Sequence, residues 1–363
     1  MKVVLAVKSL FPSYGGPAFS VSRLALALAD AGVEVGLWAS DTSAVESPLL
    51  PRHASVHPMA GSIIDAINRF GQPEILHDNG IWLPHNHRLA ELAAQRNLVR
   101  VVSTRGMLEP WAMNHKRVKK RLAWWLYQRR DLRRAAYHHA TAEAEVKNLQ
   151  RLELGVPIGL IPNGVDISYV DRHQRTPCEI RTALFLGRIH PVKGLSLLVE
   201  AWARLRPYGW QLNIAGNDEI GYQTELQKKV SAAQLSDVVH FLGPLYGENK
   251  ERAFASADLF VIPSFLESFG MAIGEALAHG VPVLTTTGAP WPMIPGWGCG
   301  WTVTPTVEGI TEGLRAATSV DLAGLIAMGK SGRELVQKDF AWANVAERFI
   351  DTYETLLMRA SLM

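Results

Sequence analysis

The chain has 363 residues, of which 48% are apolar and 20% are charged, and its formal net charge is +3 at pH 7. This length predicts two domains of average size with a sizeable core. The mild charge gives no support for a nucleic-acid partner, and no apolar run is long enough to predict a transmembrane helix. The two cysteines, Cys178 and Cys299, form no metal-binding or redox pattern, which favours a reducing cytoplasm.

Short apolar runs, many of them β-branched, alternate with helical patterns along the chain. This alternation is typical of an α/β protein with parallel sheets. The N-terminal run carries a charge at Lys8 and has no small-residue cleavage site, so it predicts a β-strand rather than a signal peptide. The predicted strands are Val3–Val7, Val35–Trp38, Glu74–His77, Val101–Thr104, Tyr137–Thr141, Ile158–Pro162, Thr182–Leu186, Gln211–Ala215, Val238–Leu242, Leu259–Pro263 and Val281–Thr285.

The strand pattern occurs twice, which predicts two Rossmann-like domains, one over residues 1–167 and one over 168–340. The polar segment Asp166–Pro177 lacks a hydrophobic period and is interpreted as the linker. Residues 341–363 repeat apolar side chains every three or four positions, which predicts an amphipathic helix. Two such domains facing a cleft would bind ligands at the carboxyl ends of their strands.

The most informative stretch of the chain runs from Ser264 to Val283. It places Glu267 and Glu275 eight positions apart around a Phe-Gly turn that follows a predicted strand. A helix beginning near Gly270 would point backbone N–H groups and its positive end at one place, where a phosphate could bind. A carboxylate there is suited to hold sugar hydroxyls, so the pattern indicates a nucleotide-sugar site.

Two other interpretations of these glutamates stay open. Either residue alone could be a solvated charge at a helix start, where acids are favoured. The two could also form a glycosidase pair, which needs carboxyl groups roughly 5 to 9.5 Å apart. Eight helical residues would separate them by about 12 Å, which weakens the glycosidase interpretation.

Two glycine-bearing segments add features of a phosphate site. Arg188 and Lys193, five positions apart in a glycine-bounded loop, are two cations that could converge on a diphosphate, although an ordinary basic loop is an equal alternative. Gly15 and Gly16 follow the first strand and allow a phosphate to approach the backbone closely. They do not form a G-x-G-x-x-G motif, which weakens the interpretation of this turn as a dinucleotide-binding site.

Taken in order, these motifs resemble the family 4 glycosyltransferases, and the similarity covers nearly the whole chain. The resemblance implies the GT-B fold, with the C-terminal helix returning to the N-terminal domain, and a retaining reaction. The motifs that carry it are Gly15-Gly16, Ile161–Asp166, Gly187-Arg188 with Lys193-Gly194, Ile214–Gly216, Phe241–Gly243 and the Glu267/Glu275 block.

The resemblance also implies roles for residues of the C-terminal half. Arg188 and Lys193 would neutralise the donor diphosphate, and Glu275 would accept hydrogen bonds from the ribose. Glu267 would hold the donor sugar and phosphates together with the backbone of the turn residues Ser268, Phe269, Gly270 and Met271. The base would lie near Gly216, Asn217, Gly243 and Leu245.

Two motifs of the N-terminal half, at residues 77–82 and 103–111, follow predicted strands and should open onto the cleft. Asp78, Trp82 and Met107 are assigned to acceptor binding. Many relatives carry a histidine where Arg105 stands, and the surrounding Arg-Gly-Met-Leu resembles a branch that acts in bacterial surface-polysaccharide assembly. His77 and Arg105 are therefore both candidates for the catalytic, proton-handling residue.

The segment Lys116–Arg134 holds nine Lys or Arg residues and one acid, interleaved with Trp124, Trp125 and Tyr127. A basic, tryptophan-bearing amphipathic helix is typical of proteins that lie on anionic membranes. A core-packed helix with a solvated basic face is an equal alternative. No nucleic-acid-binding motif accompanies the segment.

The sequence thus predicts a cytoplasmic, retaining glycosyltransferase, either free or peripheral on the inner membrane face, with a nucleotide-sugar donor that we expect to be UDP-linked. The acceptor would be a saccharide or a lipid-linked oligosaccharide. No Asp-x-Asp occurs, and two cations can serve the leaving diphosphate, so neither a metal nor a cofactor is expected. The alternatives are a GT-B-fold nucleotide-sugar 2-epimerase and a non-catalytic scaffold at a membrane surface.

Overall fold

The structure is a computed structural model that describes residues 1–109, 117–167 and 180–362. The chain folds into two compact units, Met1–Gly164 with Trp342–Met363, and Val165–Ala341. Trp111, Lys116, Cys178 and the linker positions 168–177 of the sequence analysis lie outside the described residues.

The first unit is built on a seven-stranded parallel sheet with the strand order β3-β2-β1-β4-β5-β6-β7. Its middle strands are rich in Val and Leu because parallel strands covered on both faces are buried throughout. Its elements are β1 (Lys2–Val7), α1 (Gly16–Asp30), β2 (Glu34–Ala39), α2 (Ser43–Glu46), β3 (Val56–Met59), α3 (Ile63–Phe70), β4 (Ile75–Asn79), α4 (Pro84–Arg96), β5 (Val99–Ser103), α5 (Arg117–Ala123), a π-helical turn (Trp124–Gln128), α6 (Arg129–Arg133), β6 (Tyr137–Ala140), α7 (Glu143–Gln150) and β7 (Ile158–Leu160).

The second unit is built on a six-stranded parallel sheet with the order β10-β9-β8-β11-β12-β13. One continuous core on both faces of this sheet includes Trp202, Phe260 and Trp291, all fully buried. Its elements are β8 (Arg181–Leu186), α8 (Leu195–Leu205), β9 (Trp210–Ala215), α9 (Tyr222–Ala232), β10 (Val239–Gly243), α10 (Gly247–Ser256), β11 (Leu259–Ile262), α11 (Met271–Ala278), β12 (Val283–Thr286), β13 (Gly300–Val303), α12 (Val307–Ser319) and α13 (Leu322–Asp339).

The last helix, α14 (Trp342–Ser361), belongs to the first unit although it ends the chain. Its apolar stripe, which includes Val345, Phe349 and Tyr353, is buried in the same core as the side chains of β1 and α1. None of the helices in the described ranges is both long and apolar enough to cross a bilayer.

Each predicted strand overlaps a strand of the structure, and the predicted α/β class with two parallel sheets is confirmed. Two strands, β3 and β13, were not predicted. Both lie at the edge of their sheet and have only four residues, and β3 contains Pro58. Proline and a short apolar run both obscure a strand in sequence, and edge strands tolerate them.

Candidate functional site

The second unit has a point where the strand order reverses direction, between β8 and β11. Connections on the two sides of such a point run to opposite faces, which leaves a crevice at the carboxyl ends of the two strands. The loop 187–194 follows β8 and the loop 263–270 follows β11. The backbone N–H of Phe265 donates to the carbonyl of Val192 at 2.9 Å, so the two loops touch.

Glycines allow these loops to approach one another closely. A Cβ on Gly216 would lie 1.7 Å from the carbonyl oxygen of Gly187, and a Cβ on Gly194 would lie 2.1 Å from that of Pro263. Gly194 also has a φ of 68°, in the left-handed region that favours glycine. The loop that carries Arg188 is therefore fixed against its neighbours by backbone contacts that no larger residue permits.

Lys193 and Glu267, two predicted site residues 74 positions apart, form an ion pair across these loops. Lys193 Nζ donates to Glu267 Oε1 at 2.6 Å, and the Ser264 hydroxyl donates to the same oxygen at 2.6 Å. The side chains are only 13% and 7% exposed. Lys193 is thus not a free cation, because its charge is shared with the glutamate, whose Oε2 has no hydrogen-bond partner within the described ranges.

Arg188 has a different environment from Lys193. Its side chain is 57% exposed, and its nearest carboxylate, Glu219, is 3.9 Å away. A weakly held, solvated guanidinium can turn toward an incoming anion without breaking a buried pair. The amide nitrogen of Asn217 donates to the Tyr246 hydroxyl at 2.8 Å, which places the loops after β9 and β10 together. Leu245, beside that tyrosine, is half-buried.

The turn between Glu267 and α11 follows the predicted form. Gly270 caps the helix with a φ of 81°, and Met271 is the first helical residue, so the first N–H groups of α11 have no intrahelical acceptor. Ser268 is exposed. The ring of Phe269 is buried against Trp291, whose indole N–H donates to the Phe269 carbonyl at 2.6 Å, which is compatible with the predicted role of this turn through its backbone. Its side chain anchors the turn, and only its backbone can face a ligand.

Glu275 lies one turn into α11 and is also paired. Lys250, on α10, donates to its Oε1 at 2.6 Å, and the two side chains are 25% and 23% exposed. One carboxylate oxygen of Glu275 is therefore oriented by a lysine, and within the described part of the chain the other is left for further donors. Lys250 was not predicted, since nothing in its local sequence shows that it contacts a carboxylate 25 positions away. Ser264 was not predicted either, although it lies only three positions before Glu267.

In the first unit the strand order reverses between β1 and β4. Gly15 and Gly16 follow β1, and a Cβ added at either would meet no atom within 4 Å, so the backbone there is open. Trp82 and Met107 are brought together after β4 and β5: the indole N–H of Trp82 donates to the Met107 carbonyl at 3.2 Å. Trp82 also packs against Trp124, with ring centroids 6.2 Å apart.

Asp78 is not placed to bind an acceptor, which corrects that assignment. It is fully buried, accepts from Arg100 Nη2 at 2.7 Å and accepts from the Asn86 amide at 2.7 Å. Burial raises the pKa of Asp78 in spite of the arginine. Asp78 lies in β4, which pairs with β5, and its side chain contacts Arg100 of β5 instead of facing solvent.

His77 belongs to an oriented chain of buried hydrogen bonds. His139 Nε2 must donate to the Ile161 carbonyl, at 2.7 Å, since a carbonyl only accepts. Burial lowers the pKa of His139 to about 3, so the ring is neutral and its Nδ1 accepts from the Ser103 hydroxyl at 2.6 Å. Ser103 then accepts from His77 Nε2, and His77 Nδ1 accepts from the Tyr353 hydroxyl, both at 2.6 Å.

This arrangement corrects the catalytic assignment of His77. The side chain is fully buried, both ring nitrogens have protein partners, and burial lowers its pKa well below the usual value. The chain instead fastens Tyr353 of α14 to β4 and β5. A histidine whose two nitrogens are used for packing has no free position for a substrate proton.

Arg105, the other candidate for the catalytic residue, is partly exposed. Its guanidinium donates to the side-chain oxygens of Asn79 and Asn163. Burial lowers the pKa of Arg105 to about 10, so it keeps its proton at neutral pH and cannot act as a base. Asn79 lies in the 77–82 motif and Asn163 in the Ile161–Asp166 motif, but neither was predicted as a site residue, because the sequence does not show that these two strand ends meet at Arg105.

Comparison with known families follows the division into two units. The family model described as "Glycosyltransferase Family 4" matches residues 14–169. The model described as "Glycosyl transferases group 1" matches residues 180–319. The chain belongs to this family of glycosyltransferases, so the resemblance seen in the order of its motifs is confirmed.

Curated relatives align over different lengths. A D-inositol 3-phosphate glycosyltransferase of Pseudarthrobacter chlorophenolicus is 36% identical over 141 residues, which cover 36% of this chain and 34% of the relative. An MMP α-(1→4)-mannosyltransferase of Mycolicibacterium hassiacum is 31% identical over 47% of this chain and 42% of its own length. The chain thus spans less than half the length of these relatives. A GDP-mannose-dependent α-mannosyltransferase of Mycolicibacterium smegmatis is 27% identical and aligns over 100% of this chain and 99% of its own.

Solved structures resemble the whole chain. A sucrose-phosphate synthase from Thermosynechococcus elongatus has a TM-score of 0.78 at 20% identity, covering 99% of this chain and 100% of its own. HepE from Anabaena, solved with UDP and glucose, has a TM-score of 0.74 at 18% identity and covers 98% and 100%. At these identities the likeness shows the fold, which is GT-B, as predicted.

Proposed function

We propose that the protein is a retaining glycosyltransferase that transfers a sugar from a nucleotide diphosphate donor to a saccharide or lipid-linked acceptor in polysaccharide biosynthesis. The second unit would hold the donor and the first the acceptor. One observation carries the proposal: Lys193 and Glu267 meet at 2.6 Å where the strand order reverses, beside the N-terminus of α11. A phosphate-binding helix end next to an oriented carboxylate fits a sugar diphosphate.

The proposed reaction uses charge and position. The bond between the anomeric carbon and the diphosphate oxygen breaks while a bond to the acceptor oxygen forms on the same face. The acceptor proton passes to the departing phosphate oxygen. Arg188 and the N–H groups at the start of α11 would stabilise the negative charge that develops there. Glu267, held by Lys193, would orient the donor sugar through its remaining oxygen.

We further propose that no divalent metal is required, because Arg188 supplies charge to the leaving group. Arg188→Gln should reduce turnover at least tenfold, with little change in thermal stability, because the side chain is exposed. Restoration of the rate by magnesium would show that a metal can serve the diphosphate and would contradict this assignment. Glu219→Gln is the matched control, since it removes only the solvated partner of Arg188.

The donor nucleotide is proposed to carry uridine, with guanosine as the competing base, since one full-length relative is named for GDP-mannose. Calorimetric titration with UDP and GDP would decide, and at least tenfold tighter binding of GDP would reject uridine. Release of nucleotide only when acceptor is present would identify transfer. Conversion of the donor to its 2-epimer without net release of nucleotide would favour an epimerase, and no binding of either nucleotide would favour a scaffold.

We also propose that the first unit docks on anionic membranes through α5 and the π-helical turn. Four apolar side chains recur at helical spacing and are exposed: Val118 by 82%, Leu122 by 61%, Trp125 by 76% and Leu126 by 67%. Several Lys and Arg side chains flank this stripe and are exposed as well. An apolar stripe bordered by cations is the pattern that binds the headgroup region of anionic bilayers.

Sedimentation with anionic and neutral vesicles tests this surface. Near an anionic surface each basic residue contributes on the order of 1 kcal/mol, so Lys119→Glu with Arg129→Glu should release the protein. Trp125→Ser should weaken binding even at high salt, whereas Trp124→Phe is the control, because Trp124 packs inward against Trp82. Equal binding to neutral and anionic vesicles, or binding to neither, would contradict the proposal.

A further inference from the structure

Arg105 stands in a strained turn at the carboxyl edge of the first sheet. It follows β5 by two residues and has a φ of 52°, and the next residue, Gly106, has a φ of 72°. A left-handed non-glycine residue is costly by itself, and such residues concentrate at functional positions. Its partners come from two other strand ends: Asn79 is the last residue of β4, and Asn163 follows β7.

Among the residues that the structure describes, the guanidinium is held by two neutral amides and makes no ion pair with an acid. Nε and Nη2 of Arg105 donate to Asn79 Oδ1 at 3.2 and 2.6 Å, and Nη1 donates to Asn163 Oδ1 at 2.8 Å. An arginine has five N–H groups, so two stay without an acceptor in the described part of the chain. Within the same residues no carboxylate oxygen lies within 4.0 Å of the guanidinium.

Glu145 has a charge that acts on Arg105, but its carboxylate has another use. It accepts from the backbone N–H groups of Gly106 and Thr141, both at 2.8 Å, and also from the Thr104 and Thr141 hydroxyls. These four bonds fix the turn that holds Arg105. The acid that could have neutralised the arginine is therefore engaged in positioning its backbone.

The groups around Arg105 leave it as the local positive charge. His77 and His139 are neutral, because burial and the field of Arg105 lower the pKa of each. Burial raises the pKa of Tyr14, and Arg105 opposes that shift, so the tyrosine lies within its field. Tyr14 precedes the open Gly-Gly turn. Glu145 partly offsets the charge of Arg105 through space but makes no ion pair with the guanidinium. A desolvated cation without a paired acid is stabilised further by an anion that contacts it.

We propose that Arg105 is an anion-binding residue that takes a carboxylate or phosphate group of the substrate bound by the first unit. The two unpaired N–H groups and the planar fork suit a two-oxygen anion. The proposal rests on the proposed function, which assigns the acceptor to this unit. The anion could be the carboxylate of an acidic sugar or a phosphate on the acceptor, and both present the same oxygen geometry.

The test is equilibrium titration of the full-length protein at low ionic strength with glucuronate, inorganic phosphate and glucose. We expect saturable binding of one or both anions and at least tenfold weaker binding of neutral glucose. Stronger binding of glucuronate would identify an acidic sugar, and stronger binding of phosphate would identify a phosphorylated acceptor. Arg105→Gln should weaken binding of the preferred anion at least tenfold, and Arg88→Gln, an exposed arginine of α4, should not change it.

Asn163→Asp is the sharper variant, since it keeps Arg105 and the side-chain shape but supplies a counter-charge at the 2.8 Å contact. It should raise the melting temperature and weaken anion binding at least tenfold. Unchanged anion binding in this variant, or no anion preference in the wild type, would overturn the proposal. UDP and GDP affinity of the same proteins is measured in parallel. If the wild type binds the anion but neither nucleotide, the proposed function is contradicted and the anion site is retained.

Discussion

Replacing Glu275 with Gln is expected to weaken nucleotide binding in a way that can be traced to the ribose. The carboxylate has one oxygen bound by Lys250 at 2.6 Å and one left for ribose hydroxyls. A hydrogen bond to a charged group contributes about 1.5 to 3 kcal/mol, equivalent to roughly 10- to 150-fold in affinity. Lys250, released from its partner and a quarter exposed, would attract the diphosphate, so the loss should be nearer to tenfold.

The assay is calorimetric titration with UDP and with 2′-deoxy-UDP, or with the guanosine pair if that base is preferred. Wild-type protein should bind the ribonucleotide more tightly than the deoxynucleotide, and Glu275→Gln should lose most of that difference. Glu248→Gln, an almost fully exposed glutamate at the start of α10, is the control and should change neither affinity. If Glu275→Gln discriminates between the two nucleotides as well as wild type does, Glu275 does not bind the ribose.

Three further predictions concern stability. Lys193→Met should destabilise the second unit by about 3 kcal/mol in urea unfolding, because it leaves the nearly buried Glu267 without its cation. The double variant Lys193→Met with Glu267→Gln should recover most of this loss. Equal stability of the single and double variants would mean that the pair is solvated. Gly216→Ala should lower the free energy of unfolding by about 3 kcal/mol or more, because the added Cβ clashes with backbone. In Gly243→Ala the added Cβ meets no atom within 4 Å, so the loss should be about 1 kcal/mol. Equal losses in the two variants would contradict the packing argument. Burial lowers the pKa of His139 to about 3, so only the unfolded chain binds a proton at this residue as the pH falls through about 6.5. His139 should therefore lower the free energy of unfolding by about 1.4 kcal/mol at pH 5.5. Unfolding curves that coincide at pH 7.5 and 5.5 would refute this prediction.

The sequence was most informative where one residue decides a backbone shape or a strand. The Phe-Gly turn predicted the start of α11 at Gly270, and the structure begins that helix at Met271. Buried parallel strands are uniformly apolar, so β8 and β11 could be located without tertiary information. Side-chain partners could not be located in this way. Lys193 and Glu267 are 74 positions apart, and no local pattern distinguishes a paired lysine from a free one.

The two corrections in the first unit have a common cause. Asp78 and His77 occur at a strand end, where polar residues indicate a ligand site, yet both side chains lie in the interior and are satisfied there by Arg100 and by Tyr353. A sequence shows that a polar residue follows a strand, but not whether the fold supplies its partners. The end of a strand predicts that a residue lies at the edge of the sheet, whereas its hydrogen-bond partners decide whether it can bind a ligand.

Arg105 shows the same rule in the opposite direction. A buried or half-buried charge needs either a counter-charge or a ligand, because desolvation of an isolated ion is unfavourable by several kcal/mol. The nearby Glu145 could have met that need, but its carboxylate accepts four hydrogen bonds that hold the turn around Arg105. The same acid that fixes the arginine in position therefore offsets its charge only through space and makes no ion pair with it. Positioning and unmet charge together are what a preorganised binding residue requires, and neither is visible until the partners of both side chains are known.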